Sequence, residues 1–253
     1  MARASKPVKV KPKSRNGSST GRASAVEEKV QATLSWMKRR GSKRNIEGMA
    51  RYAIRAEKVF GVSVGTLRDL GKRLGRDHEF AAALWETGWY EARMLTPFVG
   101  EPAKVTSAQM DRWCRDFNNW AICDALCFHL FDKTAHAWRK VEQWSKRRNE
   151  FEKRAAFALL ASLALHDKQA PNEPFIRSLG LIEAAATDDR NFVKKAVNWA
   201  LRAIGKRNPD LNAAAVNVAQ RLAASRQSSS RWVGKDALRE LTKRTVYGRA
   251  AAG

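Results

Sequence analysis

Trp120 and Asp124 are the residues whose types and spacing are most indicative of chemistry in this chain. They stand four residues apart in an apolar segment, so a helix would place both side chains on one face. A carboxylate in apolar surroundings must either be paired with a cation or hydrogen-bond donor or take part in a function, because burying an unpaired charge is costly. Set in a cleft, it could stabilise developing positive charge or orient a water molecule. The alternative is a structural Asp124, bonded to a helix terminus or to an arginine such as Arg154.

The elements that must position these residues are helices. From Ala25 onward apolar residues recur at helical spacing, and the prolines beyond the first 24 residues fall where helices are expected to begin or end. The sequence therefore predicts an all-α protein. The predicted helices span residues 25–39, 44–59, 63–75, 78–96, 106–116, 118–131, 135–147, 149–166, 173–186, 190–205, 209–225 and 232–246.

A weak internal repeat indicates how these helices are arranged. The second helix of several pairs begins with an aromatic residue followed three positions later by a basic residue or tryptophan. Phe151, Phe192 and Trp232 open three copies spaced 41 and 40 residues apart, the period of HEAT-like repeats. We expect a solenoid of about six antiparallel helix pairs with a concave face, the alternative being an ordinary all-α bundle. Equivalent repeat positions would align four cations with Trp120: Arg93, Arg154, Lys195 and Lys235.

The net charge of the chain indicates which class of molecule it binds. With 48 Lys and Arg against 25 Asp and Glu, the net charge is +23, which favours a polyanion such as nucleic acid or an acidic membrane surface. Residues 1–24 carry seven of the cations and no acidic residue, so we predict a disordered basic tail there. The predicted folded domain covers residues 25–253.

Other classes of protein are disfavoured. No apolar run reaches the ~18 residues of a membrane helix, and no apolar stretch typical of a signal peptide follows the N-terminus. Three cysteines and four scattered histidines offer neither a disulfide framework nor a zinc pattern. These features predict a cytoplasmic protein without a metal, a cofactor or a membrane partner.

Several motifs together resemble the AlkD-like DNA glycosylases, the HEAT-like repeat proteins of DNA alkylation repair. The resemblance extends from about Val26 to about Tyr247 and depends on the order of the motifs along successive helix pairs. The motifs are Asn119-Trp120-Ala121-x-x-Asp124, Lys153-Arg154-Ala155 and the segment from Phe192 through Lys195 and Trp199 to Arg202.

The resemblance implies excision of cationic N3- or N7-alkylated purines from duplex DNA, without base flipping. It implies catalytic roles for Asp124, Trp120 and Trp199, and a contact of Arg154 with a phosphate. The repeat alignment and the net charge predict that Arg93, Lys195 and Lys235 also contact DNA. We expect a monomer that needs no cofactor. Two alternatives stay open: a non-catalytic helical-repeat protein that binds DNA or RNA structure, and a protein-interaction scaffold.

The remaining tryptophans are mostly predicted to pack in the core, since they occur at helical spacing among apolar residues. Trp232 differs, because it opens the last predicted helix. A capping contact is one interpretation of that position.

Overall fold

The structure is a computed structural model that describes the backbone of residues 17–243 and the side chains from residue 21 onward. Within that range the chain is helical and contains no strand. The thirteen α-helices are α1 Gly17–Arg40, α2 Lys43–Arg51, α3 Val64–Leu74, α4 His78–Glu86, α5 Tyr90–Val99, α6 Ser107–Arg115, α7 Trp120–His129, α8 Ala137–Trp144, α9 Glu150–His166, α10 Asn172–Ala185, α11 Asn191–Gly205, α12 Pro209–Ala223 and α13 Ser228–Leu241. Short 3₁₀ turns span Pro102–Lys104 and Phe131–Lys133.

Helices of successive pairs stack into two rows, which confirms the predicted all-α helical-repeat architecture. One row runs through α5, α7, α9, α11 and α13, and α8, α10 and α12 pack along the other side. We call the first the inner row. Its central helix, α9, is buried from Arg154 to Ala164 and consists largely of alanine and leucine there. Both α7 and α11 pack against α9, and the rings of Phe128 on α7 and Trp199 on α11 lie 6.5 Å apart.

Asparagine caps fix where the site-bearing helices begin. The Asn119 side chain accepts a hydrogen bond from the Ile122 amide at the start of α7, and Asn149 accepts from the Phe151 and Glu152 amides at the start of α9. Each cap satisfies amide groups that have no partner within the helix. Trp120 therefore stands in the first turn of α7 with Asp124 one turn later.

Three predicted boundaries were wrong. The helix predicted over 44–59 ends at Arg51, because the following segment is held by side chains from other helices, as described below. The helix predicted over 78–96 is two helices separated at Gly88, whose φ of +71° ends α4 in the left-handed conformation. The last helix starts at Ser228 rather than at 232, and residues 244–246 of the prediction lie outside the described residues.

The predicted basic tail also differs from the structure at its end. Helix α1 begins at Gly17, so residues 17–24 are helical. Within this part, the Arg22 side chain forms an ion pair of 2.7 Å with Glu79. Residues 1–16 lie outside the described residues.

Candidate active site

A cleft of about 420 Å³ lies at the N-terminal ends of α7, α9 and α11. Its walls combine residues of these three helices with the residues that follow α2. The lining residues are Arg51, Tyr52, Ala53, Trp120, Asp124, Arg154, Asn191, Phe192 and Lys195. Four distant parts of the sequence thus meet at one place, and they include Trp120, Asp124, Arg154 and Lys195 from the predicted site.

Asp124 and Arg154 form a bidentate pair at the floor of the cleft. Arg154 Nε and Nη2 donate to the two carboxylate oxygens of Asp124 at 2.9 and 2.7 Å. The remaining terminal nitrogen, Nη1, donates to the Phe192 carbonyl at 2.7 Å and ties α9 to α11. Of the five N–H donors of a guanidinium, three are therefore directed at protein oxygens. The pairing of Asp124 with Arg154, one of the two structural alternatives, is present, and any phosphate contact by Arg154 is left to the other two donors.

Burial and charge act in opposite directions on this pair. Burial raises the pKa of Asp124 above its ordinary value, and the charge and hydrogen bonds of Arg154 oppose that rise. Burial alone would lower the pKa of Arg154, but the Asp124 carboxylate more than compensates, so the pKa of Arg154 is raised. Because the guanidinium stays charged at neutral pH, its two hydrogen bonds favour the ionised form of Asp124 and oppose the effect of burial. Its side chain keeps 21% of its surface exposed, against 8% for Arg154.

Trp120 joins the cleft to the segment after α2. Its indole Nε1 donates to the Tyr52 carbonyl at 2.8 Å. The next residue, Ala53, has a φ of +55°, a left-handed conformation that is unfavourable for a residue with a Cβ. The hydrogen bond and the strained turn direct the chain across the mouth of the cleft.

Tyr52 is a cleft residue that the sequence analysis missed. It lines the opening and is 69% exposed, the largest value among the exposed large apolar side chains of residues 21–243. The prediction placed it inside a continuous helix. A signal was present in the sequence, since an aromatic residue there follows a short helix with little to bury, but its proximity to Trp120 is a tertiary fact.

Trp199 lies beside the cleft and does not line it. It stands one turn beyond Lys195 on α11, as Phe128 stands one turn beyond Asp124 on α7, and the two rings are nearly parallel. Phe128 also packs edge-on against His166, which hydrogen-bonds to the buried Asp132. Trp199 is therefore part of an aromatic wall adjoining the Asp124 pair.

Arg93 and Lys235 lie away from the cleft. The Arg93 guanidinium lies 4.9 Å from the centroid of the Trp85 ring and donates to the Trp85 and Asp116 carbonyls. It lines a separate cavity of about 260 Å³ instead. Lys235 is exposed on α13. Four of the seven predicted site residues therefore line the cleft. Trp199 lies beside it, and Arg93 and Lys235 do not line it.

No group of three or more His, Cys, Asp or Glu side chains suited to a metal ion occurs among residues 21–243. The three cysteines are buried thiols. Across the part of the chain that the structure describes, no helix has the length and apolar character needed to cross a membrane.

Comparisons with known proteins agree with this architecture. The model of the family described as DNA alkylation repair enzyme matches residues 33–241. A solved structure is similar over 84% of this chain and 95% of its own, with a TM-score of 0.70 and 18% sequence identity. It is described as "a new family of proteins related to the HEAT-like repeat DNA glycosylases with affinity for branched DNA structures". No curated protein matches significantly.

Proposed function

Because the chain belongs to the DNA alkylation repair enzyme family, we propose that it is a DNA glycosylase that excises cationic N3- or N7-alkylated purines from duplex DNA. The observation that carries the proposal is the partly exposed Asp124 carboxylate, paired with Arg154 and placed one helix turn from Trp120 in an open cleft. A carboxylate facing a polyanion opposes binding, so its presence there is better explained by the reaction than by affinity.

The proposed reaction is hydrolysis of the N-glycosidic bond. The bonding electron pair leaves with the base, which departs neutral because its positive charge is cancelled, and so no acid is needed. Positive charge develops on the sugar as an oxocarbenium ion, which the Asp124 anion stabilises more than the ground state. Water adds at the anomeric carbon and gives up a proton to Asp124 or to solvent. The products are free base and an abasic site.

Each aromatic residue of the site has a proposed part in the same step. The electron-rich face of Trp120 adjoins Asp124 and stabilises the developing cation by a cation–π interaction. Trp199, one turn along the cleft wall, contacts the sugar–phosphate strand further on. The opening is formed by exposed groups, Tyr52 and Lys195. Such an open site supports excision without flipping the base into an enclosed pocket.

Arg154 has a revised role in this proposal. Because both carboxylate oxygens of Asp124 accept from it, its main task is to orient Asp124 and keep it ionised. We therefore describe Arg154 as a positioning residue whose two other donors remain for a nearby phosphate. The net charge of +23 and the exposed Lys195 supply the attraction to the DNA backbone.

The test is release of free base from duplex DNA carrying 3-methyladenine or 7-methylguanine. Asp124→Asn keeps the size of the side chain and removes its charge. It should slow release by roughly 10²-fold or more, the scale for losing a preorganised transition-state contact. DNA binding should persist or tighten, because a repulsion with phosphate is removed. Asp69→Asn, which removes an exposed carboxylate on α3, is the matched control and should release base at the wild-type rate.

Two results would contradict the proposal. Release at the wild-type rate by Asp124→Asn would show that the carboxylate takes no part in the reaction. Comparable release of a neutral base such as uracil would show that the positive charge of the lesion does not drive its departure.

A second candidate is a non-catalytic binder of DNA structure. It is favoured by the engagement of both Asp124 oxygens with Arg154, which would suit a purely structural ion pair, and by the description of the similar structure as having affinity for branched DNA. Wild-type protein that binds a DNA junction more tightly than duplex and releases no alkylated base would establish this alternative.

A further inference from the structure

Trp232 is a large aromatic side chain whose position the proposed reaction does not explain. It stands in the second turn of α13 and is 40% exposed, the one tryptophan among the exposed large apolar side chains of residues 21–243. Trp85, Trp113 and Trp144 are completely buried, as predicted for core residues. Among the described side chains, its ring contacts a cation and no aromatic ring, and it stands past the first turn of α13, so it does not cap the helix.

One lysine lies over the Trp232 ring, and a second stands on the same helix face. The Lys194 Nζ lies 5.2 Å from the ring centroid. Lys235 is three residues beyond Trp232 on the same helix, hence on the same face. Lys195, next to Lys194 on α11, lines the Asp124 cleft. We call Trp232, Lys194 and Lys235 the Trp232 platform; it meets the cleft-bearing helix α11 at Lys194.

The platform carries uncompensated positive charge. Neither lysine of the platform forms an ion pair within residues 21–243, and two carboxylates of this region, Asp188 and Asp236, are engaged with other residues. Asp188 pairs with Arg190 and Lys153, and Asp236 accepts from Asn198 and Arg239. An exposed aromatic ring flanked by unpaired lysines fits an anionic ligand with a flat face better than an apolar peptide.

We propose that the Trp232 platform binds an unpaired nucleobase of a DNA strand that passes the Asp124 cleft. The base stacks on the open part of the indole ring, and Lys194 and Lys235 contact the flanking phosphates. An unpaired base is required because the faces of paired bases are covered by their neighbours in the duplex, whereas stacking on an aromatic side chain needs a free face. The proposal rests on the DNA binding in the proposed function and extends it to single-stranded DNA adjoining a duplex.

The experiment compares binding of two undamaged fluorescent DNAs, a blunt duplex of about 20 base pairs and the same duplex with a single-stranded overhang of about five nucleotides. Fluorescence anisotropy is measured over a range of salt concentrations. Trp232→Ala should weaken binding of the overhang DNA by about 10-fold and change blunt-duplex binding less than about 2-fold. Trp232→Phe, which keeps a flat ring, should retain most of the overhang affinity.

Two further variants and a control separate the effect of base stacking from the effects of apolar packing and of charge. Trp232→Leu keeps apolar bulk without a flat ring and should lose overhang affinity as Trp232→Ala does, so the test survives if the alanine variant unfolds. Lys194→Ala should lower the slope of log affinity against log salt by about 1 for the overhang DNA. Lys168→Ala removes an exposed lysine just after the far end of α9 and should leave the overhang-to-duplex ratio unchanged.

If Trp232→Ala loses affinity equally for both DNAs, or for neither, the proposed platform is refuted. This outcome is distinguishable from failure of the glycosylase proposal. If alkylated base is released and Trp232 has no effect on overhang binding, the platform alone is refuted. If no base is released and the overhang preference depends on Trp232, the platform stands and the reaction is refuted.

Discussion

The two sides of the Asp124 cleft are built in opposite ways. On one side, α9 is buried along eleven successive residues from Arg154 to Ala164. On the other side, residues 43–63, which we call the α2 segment, begin with a helix that has no buried residue. Ile46 and Tyr52 of this segment are exposed. The charged pair thus stands on tightly packed helices, while the residues at the cleft mouth belong to a segment with little apolar burial.

Polar contacts hold the end of the α2 segment, beside the stacking of Phe60 on Trp89. The completely buried Glu91 of α5 accepts hydrogen bonds from the backbone amides of Phe60, Gly61 and Val62 at 3.0, 2.6 and 3.2 Å. Gly61, with a φ of +85°, passes so close to Ser42 that a Cβ would lie 2.2 Å from the Ser42 carbonyl oxygen. Regions with few buried apolar contacts open at a lower free-energy cost than the core. We infer that the α2 segment can open over the cleft while the inner row stays folded.

Substitutions on the two sides of the cleft test this difference, and the largest effect is expected for Arg154→Ala. This change leaves Asp124 as an unpaired, largely buried carboxylate. Removing one partner of a buried pair typically costs about 3 kcal/mol of unfolding free energy or more. Adding Asp124→Asn should recover part of that loss, because the uncompensated charge disappears. Urea denaturation of the four proteins of this double-mutant cycle measures the coupling. Strictly additive single losses would show that the pair does not stabilise the inner row.

The next effect concerns acid sensitivity of the inner row. Burial, with smaller contributions from Lys133, Arg68 and other cations, lowers the pKa of His129 from 6.5 to about 4. The unfolded chain therefore takes up this proton first. The contribution of His129 to stability is complete above about pH 6.5 and is lost as the pH falls towards 4.

His129→Gln should reduce this pH dependence. We expect the difference in unfolding free energy between wild type and variant to change by at most about 2 kcal/mol between pH 7 and 4.5, allowing for partial exposure of the ring. Chemical denaturation at the two pH values measures it. A constant difference would contradict the lowered pKa.

A smaller and local effect is expected for Glu91→Gln, which removes the charge that holds the α2 segment. A neutral amide offers one oxygen to three amide donors and brings two donors of its own. Amide hydrogen exchange of Phe60, Gly61 and Val62 should quicken by about tenfold, corresponding to about 1.4 kcal/mol, while α9 stays protected. Equal acceleration in α9 would show that the two regions open together.

The smallest effect is expected for Trp120→Phe, which keeps an aromatic ring and removes the hydrogen bond to the Tyr52 carbonyl. Loss of about 1 kcal/mol or less should speed exchange of the amides around Tyr52 a few-fold. Base release should fall modestly, since the ring face beside Asp124 is retained. If base release falls as far as in Asp124→Asn, the indole N–H has a role beyond closing the segment.

Much of the fold followed from local patterns, and the failures have both local and long-range causes. Apolar spacing placed α7, α9 and α11 within a few residues, because burial of one helix face imposes its period on the sequence. The split at Gly88 was missed although glycine there is a recognisable helix end. The helix predicted over 44–59 failed for a different reason: Glu91 and Trp120, remote in sequence, hold the backbone after Arg51 in a non-helical path.

By itself the sequence determined that Trp120 and Asp124 share a helix face, that the chain is strongly basic and that its helices repeat with a period near 40 residues. Only the tertiary structure decided which partner Asp124 takes, that Trp199 stands beside the cleft and that Tyr52 belongs to it. The physical reason is that side-chain spacing within a helix follows from backbone geometry, whereas contacts between helices depend on how closely they approach. Here the alanine- and leucine-rich surface of α9 determines how closely α7 and α11 pack against it. Hydrogen bonds of Glu91 and Trp120 determine the position of the α2 segment.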